Sequence, residues 1–387
     1  MARTAFVSTY PPRRCGIATF TSDLGRVMGD REIVALHPPE QASPYPLEVH
    51  HRIRRDEPAD YTRTARSLGA CVDVVSIQHE YGIWGDHDGE VVLDFVRSLD
   101  VPAIATLHTV LREPTPRQRA ILVELVQGVK ATVVMSRSAA TLLTSAYGVD
   151  PGRIQIIPHG VPDLPMVRSE TTKPAVGLAG RDVILSFGLL GPGKGYELAL
   201  DALPAVVAEH PATCYVIVGA THPDLIRLDG EGYRASLIDR VKRLGLTDHV
   251  RFIDRFVGRV ELTRWLESAD VFVTPYPNLD QIVSGTLSYA MGAGRAIVST
   301  PYTYAAELLA EGRGLLVPPG SPDALAAALN NLLEDDELRG AIGQRAYDYS
   351  RGMVWSEVGA EYRQLLARVA ADLQVPRSPT GLVSAHA

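Results

Sequence analysis

Asp280-Gln281-Ile282-Val283-Ser284-Gly285-Thr286-Leu287-Ser288-Tyr289-Ala290-Met291-Gly292-Ala293-Gly294-Arg295 lies between two apolar runs. The apolar run Val271-Phe272-Val273-Thr274-Pro275 leads into it, and Ala296-Ile297-Val298-Ser299-Thr300 leaves it. Both runs have the length and β-branched character of buried strands. Between them the spacing predicts a short helix and a Gly-rich turn. Ser284-Gly285-Thr286 falls where that helix begins. Backbone N–H groups and the positive end of the helix dipole meet at such a point, which suits a phosphate or pyrophosphate. The unit predicts a strand–helix–strand segment that binds a phosphorylated small molecule.

The same pattern extends in both directions. Downstream of residue 180, strands are predicted over 182–188, 214–219, 250–253, 271–274, 296–299 and 314–317. Helices fall over 197–209, 233–244, 260–268 and 322–333. In the first half, strands are predicted over 5–8, 33–36, 72–77, 103–107, 131–135 and 154–158, with helices over 17–28, 118–127 and 139–147. Strands that are apolar throughout and separated by helices imply parallel sheets covered on both faces. Pro162, Pro165 and Pro174 interrupt the pattern and mark a linker. The fold class is therefore α/β, with two successive doubly wound, Rossmann-like domains. The expected boundaries are 1–165 for the first domain, 166–180 for the linker and 181–352 for the second domain. A terminal amphipathic helix follows over 353–373. The tail 374–387 is small and polar, and is expected to fray.

Composition narrows the function. A chain of 387 residues exceeds one ordinary core, in keeping with two domains. With 46% hydrophobic and 21% charged residues it reads as a globular protein. A net charge of −7 argues against nucleic acid and gives no support for a polybasic membrane contact. Cys15, Cys71 and Cys214 are sparse and odd in number, which fits a reducing cytoplasm. No apolar run reaches the length of a membrane span, and the N-terminus reads as a core strand rather than a signal peptide. A cytoplasmic protein is expected, and a homo-oligomer is allowed.

Four stretches, in order, carry a family resemblance. These are Pro11-Pro12-Arg13-Arg14-Cys15-Gly16-Ile17, Ile156-Ile157-Pro158-His159-Gly160-Val161, Phe187-Gly188-Leu189-Leu190-Gly191-Pro192-Gly193-Lys194-Gly195, and 280–295 continued by Ala306-Glu307-Leu308 and 314–320. Together they resemble the family 4 glycosyltransferases, retaining enzymes of the GT-B fold. The resemblance implies two Rossmann-like domains facing a central cleft that closes by hinge motion, with a last helix crossing back to the first domain. It also implies a nucleotide-sugar donor as co-substrate, with no metal and no other cofactor. Two positions depart from the family pattern. Leu189 stands where an Arg usually follows the phosphate-loop glycine. Gln281 and Tyr289 stand where the family carries a Glu-x7-Glu pair, whose first member holds the donor sugar and whose second holds the ribose.

The site residues follow from position and resemblance. Lys194, in a Gly-Pro-Gly-Lys-Gly turn, is read as the cation on the donor diphosphate, against a solvated loop lysine. His108 ends a parallel strand, where ligands of such sheets bind, against a histidine that merely finishes a strand. The resemblance places it on the donor sugar, with Asp280 or Gln281. Gly188, Ser284, Gly285, Thr286 and Tyr289 are assigned to the donor nucleotide, as are Arg255 and Phe256 beside the base. Gly16 would let the first loop approach the donor, or is an ordinary turn glycine. Arg14 is conjectured to supply the charge that Leu189 lacks. The loop after the strand at 72–77 is polar and aromatic, so His79, Glu80, Tyr81 and Trp84 are assigned to the acceptor, against a metal-binding or simply solvated loop. Ser136 and Arg137 are further acceptor candidates. Glu307 aligns with a family acid near the donor, or caps a helix.

The expected function is transfer of a hexose, from GDP-mannose in preference to UDP-glucose, to a carbohydrate or small-molecule acceptor. Two alternatives remain. One is a glycoside phosphorylase on the same fold, since Leu189 and Tyr289 weaken a nucleotide clamp. The other is a catalytically inactive sugar- or nucleotide-binding protein.

Overall fold

The computed structural model describes residues 2–29, 31–39 and 43–371. The expected tail, 374–387, lies outside the described residues, as does the end of the last predicted helix. Thirteen strands form two wholly parallel sheets among the described residues. The first contains β1 (Thr4–Ser8), β2 (Arg31–His37), β3 (Val49–Arg54), β4 (Val74–His79), β5 (Ala103–Leu107), β6 (Ala131–Val134) and β7 (Ile154–Ile156), in the order β3-β2-β1-β4-β5-β6-β7. The second contains β8 (Asp182–Phe187), β9 (Thr213–Val218), β10 (Val250–Ile253), β11 (Val271–Thr274), β12 (Ala296–Ser299) and β13 (Leu315–Leu316), in the order β10-β9-β8-β11-β12-β13. In each sheet the order reverses beside the first strand, a point where doubly wound sheets open a ligand crevice.

The helices are α1 (Gly16–Met28), α2 (Pro58–Leu68), α3 (Val91–Arg97), α4 (Pro116–Gly128), α5 (Arg137–Tyr147), α6 (Tyr196–Glu209), α7 (Pro223–Asp229), α8 (Gly232–Arg243), α9 (Arg259–Glu267), α10 (Gly285–Gly292), α11 (Thr303–Leu308), α12 (Pro322–Glu334), α13 (Asp336–Ser350) and α14 (Trp355–Ala371). Successive strand residues face opposite sides, so each apolar strand feeds two cores. Ala5, Val7, Val75 and Ile77 pack on one face of the first sheet, whereas Phe6, Val74 and Ile104 join Phe20, Leu24, Tyr362 and Leu366 on the other. Val183, Leu185 and Phe272 divide from Ile184, Val271 and Val273 in the same way. Helix α14 therefore completes the core of the first sheet although it is the last helix of the described residues. Its Tyr362 hydroxyl lies 3.0 Å from Thr106 Oγ1 on β5.

The segment joining the sheets is packed rather than loose. Asp270 is buried and accepts from Lys173 Nζ at 2.7 Å, from Val183 N at 2.6 Å and from the Ser169 hydroxyl. Arg295, also buried, donates to Val167 O at 2.7 Å. A buried carboxylate and a buried guanidinium are satisfied only while this segment stays seated.

Candidate active site

The carboxyl ends of β8 and β11 meet the start of α10. Ser284 caps that helix, its hydroxyl accepting from Leu287 N at 3.3 Å. Gly188 follows β8 with φ +130° and lies over Thr286, where an added Cβ would sit 3.4 Å from Thr286 Cγ2. Gly219, after β9, has φ +151°, and a Cβ there would come within 1.8 Å of Gly188 O. Only glycine allows this approach. Thr286 Oγ1 lies 2.9 Å from the Tyr276 hydroxyl, and Lys194 Nζ stands 4.3 Å above the Tyr276 ring. Gly188, Lys194, Ser284, Gly285 and Thr286 are thus brought to one place, with an ammonium beside the positive end of a helix. That arrangement can hold a diphosphate.

The first domain presents the carboxyl ends of β4 and β5. His108 is half-buried, donates its backbone N–H to His79 O at 2.9 Å, and places Nε2 2.9 Å from Gln78 Oε1. Burial, with smaller contributions from His159 and His79, depresses its pKa to about 3, so it is neutral. Gly16 heads α1 and faces open space, with nothing within 4 Å of an added Cβ. Arg14 beside it is exposed. Glu80 is half-buried and accepts from Gly82 N at 2.9 Å; burial raises its pKa, and that N–H and Arg13 oppose the shift.

Several expectations are corrected. Trp84 has no exposed surface; its indole donates to Gln78 O at 2.9 Å and its ring packs near Tyr61 and Phe95. With its one donor satisfied in the core, it cannot meet an acceptor. Tyr81 is buried and donates to Gln118 O at 3.3 Å. His79 is fully buried, its two ring nitrogens have no hydrogen-bond partner among the described residues, and burial lowers its pKa to about 4. The loop's aromatic and histidine members support the wall instead of lining its surface. Tyr289 is buried too, and its hydroxyl donates to Asp23 Oδ2 on α1 at 2.8 Å. It therefore bridges the two domains and offers no hydroxyl to a ribose.

Other candidates also lie on the seam. Ser136 is buried, caps α5 through Ala139 N at 3.2 Å, and donates to Ile282 O at 3.3 Å. Glu307 accepts from Arg137 N and Ser138 N at 2.8 Å each, and from Ser138 Oγ at 2.6 Å. It caps a helix in the opposite domain, where its negative charge suits the helix dipole. Asp280 Oδ1 pairs with Arg112 Nε at 3.0 Å, and Gln281 Nε2 donates to Val283 O at 2.8 Å. Arg255 pairs with Glu261, while Phe256 is exposed. Sequence reasoning gave His159 no role in the site. It is buried, within 6.0 Å of the Tyr289 and Trp355 rings, and its Nε2 would lie 2.8 Å from a Cβ on Gly285. The signal was its place in the Ile-Pro-x-Gly-Val segment, where the family carries Asn. No three His, Cys, Asp or Glu side chains converge as a metal site among the described residues.

Two facing parallel-sheet domains with a glycine loop and a helix N-terminus at their seam define the GT-B architecture. The comparisons agree. Residues 16–163 match the family described as Glycosyltransferase Family 4, and 169–349 match Glycosyl transferases group 1. The chain belongs to the family 4 glycosyltransferases. It is 28% identical over 311 residues to the D-inositol 3-phosphate glycosyltransferase of Kineococcus radiotolerans, covering 72% of this chain and 68% of that protein. It is 27% identical over 277 residues to the phosphatidyl-myo-inositol mannosyltransferase of Mycolicibacterium smegmatis, covering 71% and 67%. HepE of Anabaena, solved in complex with UDP and glucose, superposes with a TM-score of 0.78 at 16% identity, over 95% of this chain and all of that one. WaaG, a glycosyltransferase of lipopolysaccharide biosynthesis, gives 0.69 at 16% identity over 94% and 99%. No helix of the described residues is long and apolar enough to cross a membrane.

Proposed function

We propose that the chain is a retaining hexosyltransferase that uses a nucleotide sugar, GDP-mannose ahead of UDP-glucose, and a carbohydrate or small-molecule acceptor. The observation that carries this reading is the cradle of Gly188, Lys194, Thr286 and the α10 N-terminus, which offers a diphosphate an ammonium and free backbone N–H groups. A mannosyltransferase among the relatives supports mannose, and HepE with UDP and glucose supports a nucleotide donor. In this reading Lys194 and the helix N-terminus stabilise the departing diphosphate, whose oxygen takes the acceptor proton. Attack and departure share one face of the sugar, so no carboxylate nucleophile is required, and the protein supplies position and charge. His108 and Gln281 face the hexose; Arg255 and Phe256 border the base; Arg14 and Glu80 border the acceptor.

The engaged Tyr289 hydroxyl favours one rival, a phosphorylase that takes inorganic phosphate in the same cradle. A thermal-shift panel of GDP, UDP, ADP, TDP, their sugar conjugates and phosphate separates the two. A ligand at a hundred times its Kd stabilises the folded state by about 2.7 kcal/mol. We expect a shift with one nucleotide and its hexose conjugate. A shift with phosphate plus sugar, and with no nucleotide, would sink the proposal in favour of the phosphorylase.

A further inference from the structure

Gln78 is fully buried on β4, and no motif singled it out. We propose that Gln78 is a positioning residue that fixes the His108 imidazole as a neutral hydrogen-bond acceptor for a hydroxyl of the donor hexose. The proposal rests on the nucleotide-sugar reading above.

The amide oxygen Oε1 lies 2.9 Å from His108 Nε2, and the amide nitrogen meets no partner among the described residues; with Oε1 as the acceptor, His108 Nε2 carries the proton. The lone pair is then left on Nδ1, the ring nitrogen that remains for a ligand at the cleft end of β5. Both partners are held. Trp84 Nε1 donates to Gln78 O at 2.9 Å, and His108 N donates to His79 O at 2.9 Å. The Phe20 ring from α1 stands edge-on to the imidazole at 4.9 Å and limits its rotation. The titratable groups acting on His108 are His79 from β4 and His159 from the segment after β7. Both are imidazoles, so neither favours an imidazolium. An amide at position 78 maintains that state. A carboxylate there would favour the imidazolium, which donates and cannot accept.

The test uses the full chain, with hydrolysis of GDP-mannose or UDP-glucose to free hexose as the turnover readout. Affinity for GDP or UDP is measured alongside by calorimetry. Gln78→Leu should lower turnover about 10–100-fold. Its nucleoside diphosphate affinity should stay within about two-fold, because His108 meets only the sugar. Adding Gln78→Leu to His108→Ala should cost nothing further. Gln78→Glu keeps the acceptor atom, so it should be active at alkaline pH. Its turnover should fall as pH drops through the raised His108 pKa. Full turnover in Gln78→Leu would overturn the proposal. So would an equal loss of nucleotide affinity, or a Gln78→Glu profile parallel to that of the unsubstituted protein. If the unsubstituted chain bound no nucleotide sugar, the proposed function would fall with it.

Discussion

Three neutral histidines set the acid limit of this fold. Burial holds His79 and His159 at about 4 and His108 at about 3, against an ordinary value of 6.5. A histidine with a depressed folded pKa binds its proton more readily when unfolded. Its contribution is therefore whole above about pH 6.5 and is lost as pH falls toward 4. Each group should remove about 1.4 kcal/mol per pH unit inside that window. Glu80 and Glu361, raised by burial, act in the opposite sense. The acid slope in that interval belongs to the histidines. Urea midpoints at pH 7 and pH 5 test this, with His159→Asn expected to flatten the slope; a flat profile in the unsubstituted protein would rule it out. At this scale the sequence was partly legible. Lys194, Ser284 and Thr286 lie together as their local signals, glycine spacing and a helix start, suggest. Trp84 and Tyr289 were misplaced, because a polar or aromatic pattern does not tell which residue a hydroxyl or an indole finally meets.

Among elements, the glycine loops carry the most specific demands. Gly219 has φ +151° and abuts Gly188 O, whereas Gly16 heads α1 beside open space. Gly219→Ala should therefore destabilise by about 2–4 kcal/mol, through backbone strain and a backbone clash. Gly16→Ala should change stability by less than about 0.5 kcal/mol, yet weaken donor binding if the donor passes close to α1. Denaturation midpoints and donor affinity, measured on both variants, separate the roles. Unchanged donor affinity in Gly16→Ala would remove Gly16 from the site. The buried strands β5, β11 and β12 were legible because each is a largely apolar run; these three, and the half-buried β10, begin and end where the sequence places them. Strand β3, Val-His-His-Arg-Ile-Arg, escaped notice. It is an edge strand with one fully buried residue, Ile53, so no apolar run announces it. Helix α13 escaped as well, since Ile342, Gly343, Ala346 and Ser350 make a small-residue face of weak periodicity.

At the scale of the molecule, the two sheets are joined by specific polar contacts across the cleft. Tyr289 reaches Asp23, Glu307 caps α5, Ser136 reaches Ile282 O, and Arg112 pairs with Asp280. The last is half-exposed on both sides and contributes little. The first two have a carboxylate acceptor in buried or half-buried surroundings, where such bonds contribute about 1.5–3 kcal/mol each. The charge at Glu307 also sits on a helix N-terminus, which adds to its hold. On the proposed nucleotide-sugar reading, a donor enters as these contacts part, and their strength sets the balance between open and closed cleft. Removing both, in Tyr289→Phe with Glu307→Ala, should favour opening by roughly 3 kcal/mol, about a hundred-fold in population. Circular dichroism should be unchanged, because Phe keeps the buried ring at position 289 and Glu307 is only half-buried. Small-angle scattering should report a larger radius of gyration for the double variant, and saturating nucleotide sugar should bring it back. A radius equal to that of the unsubstituted chain would mean that apolar packing around Phe20, His159 and Trp355 holds the cleft without help from these bonds.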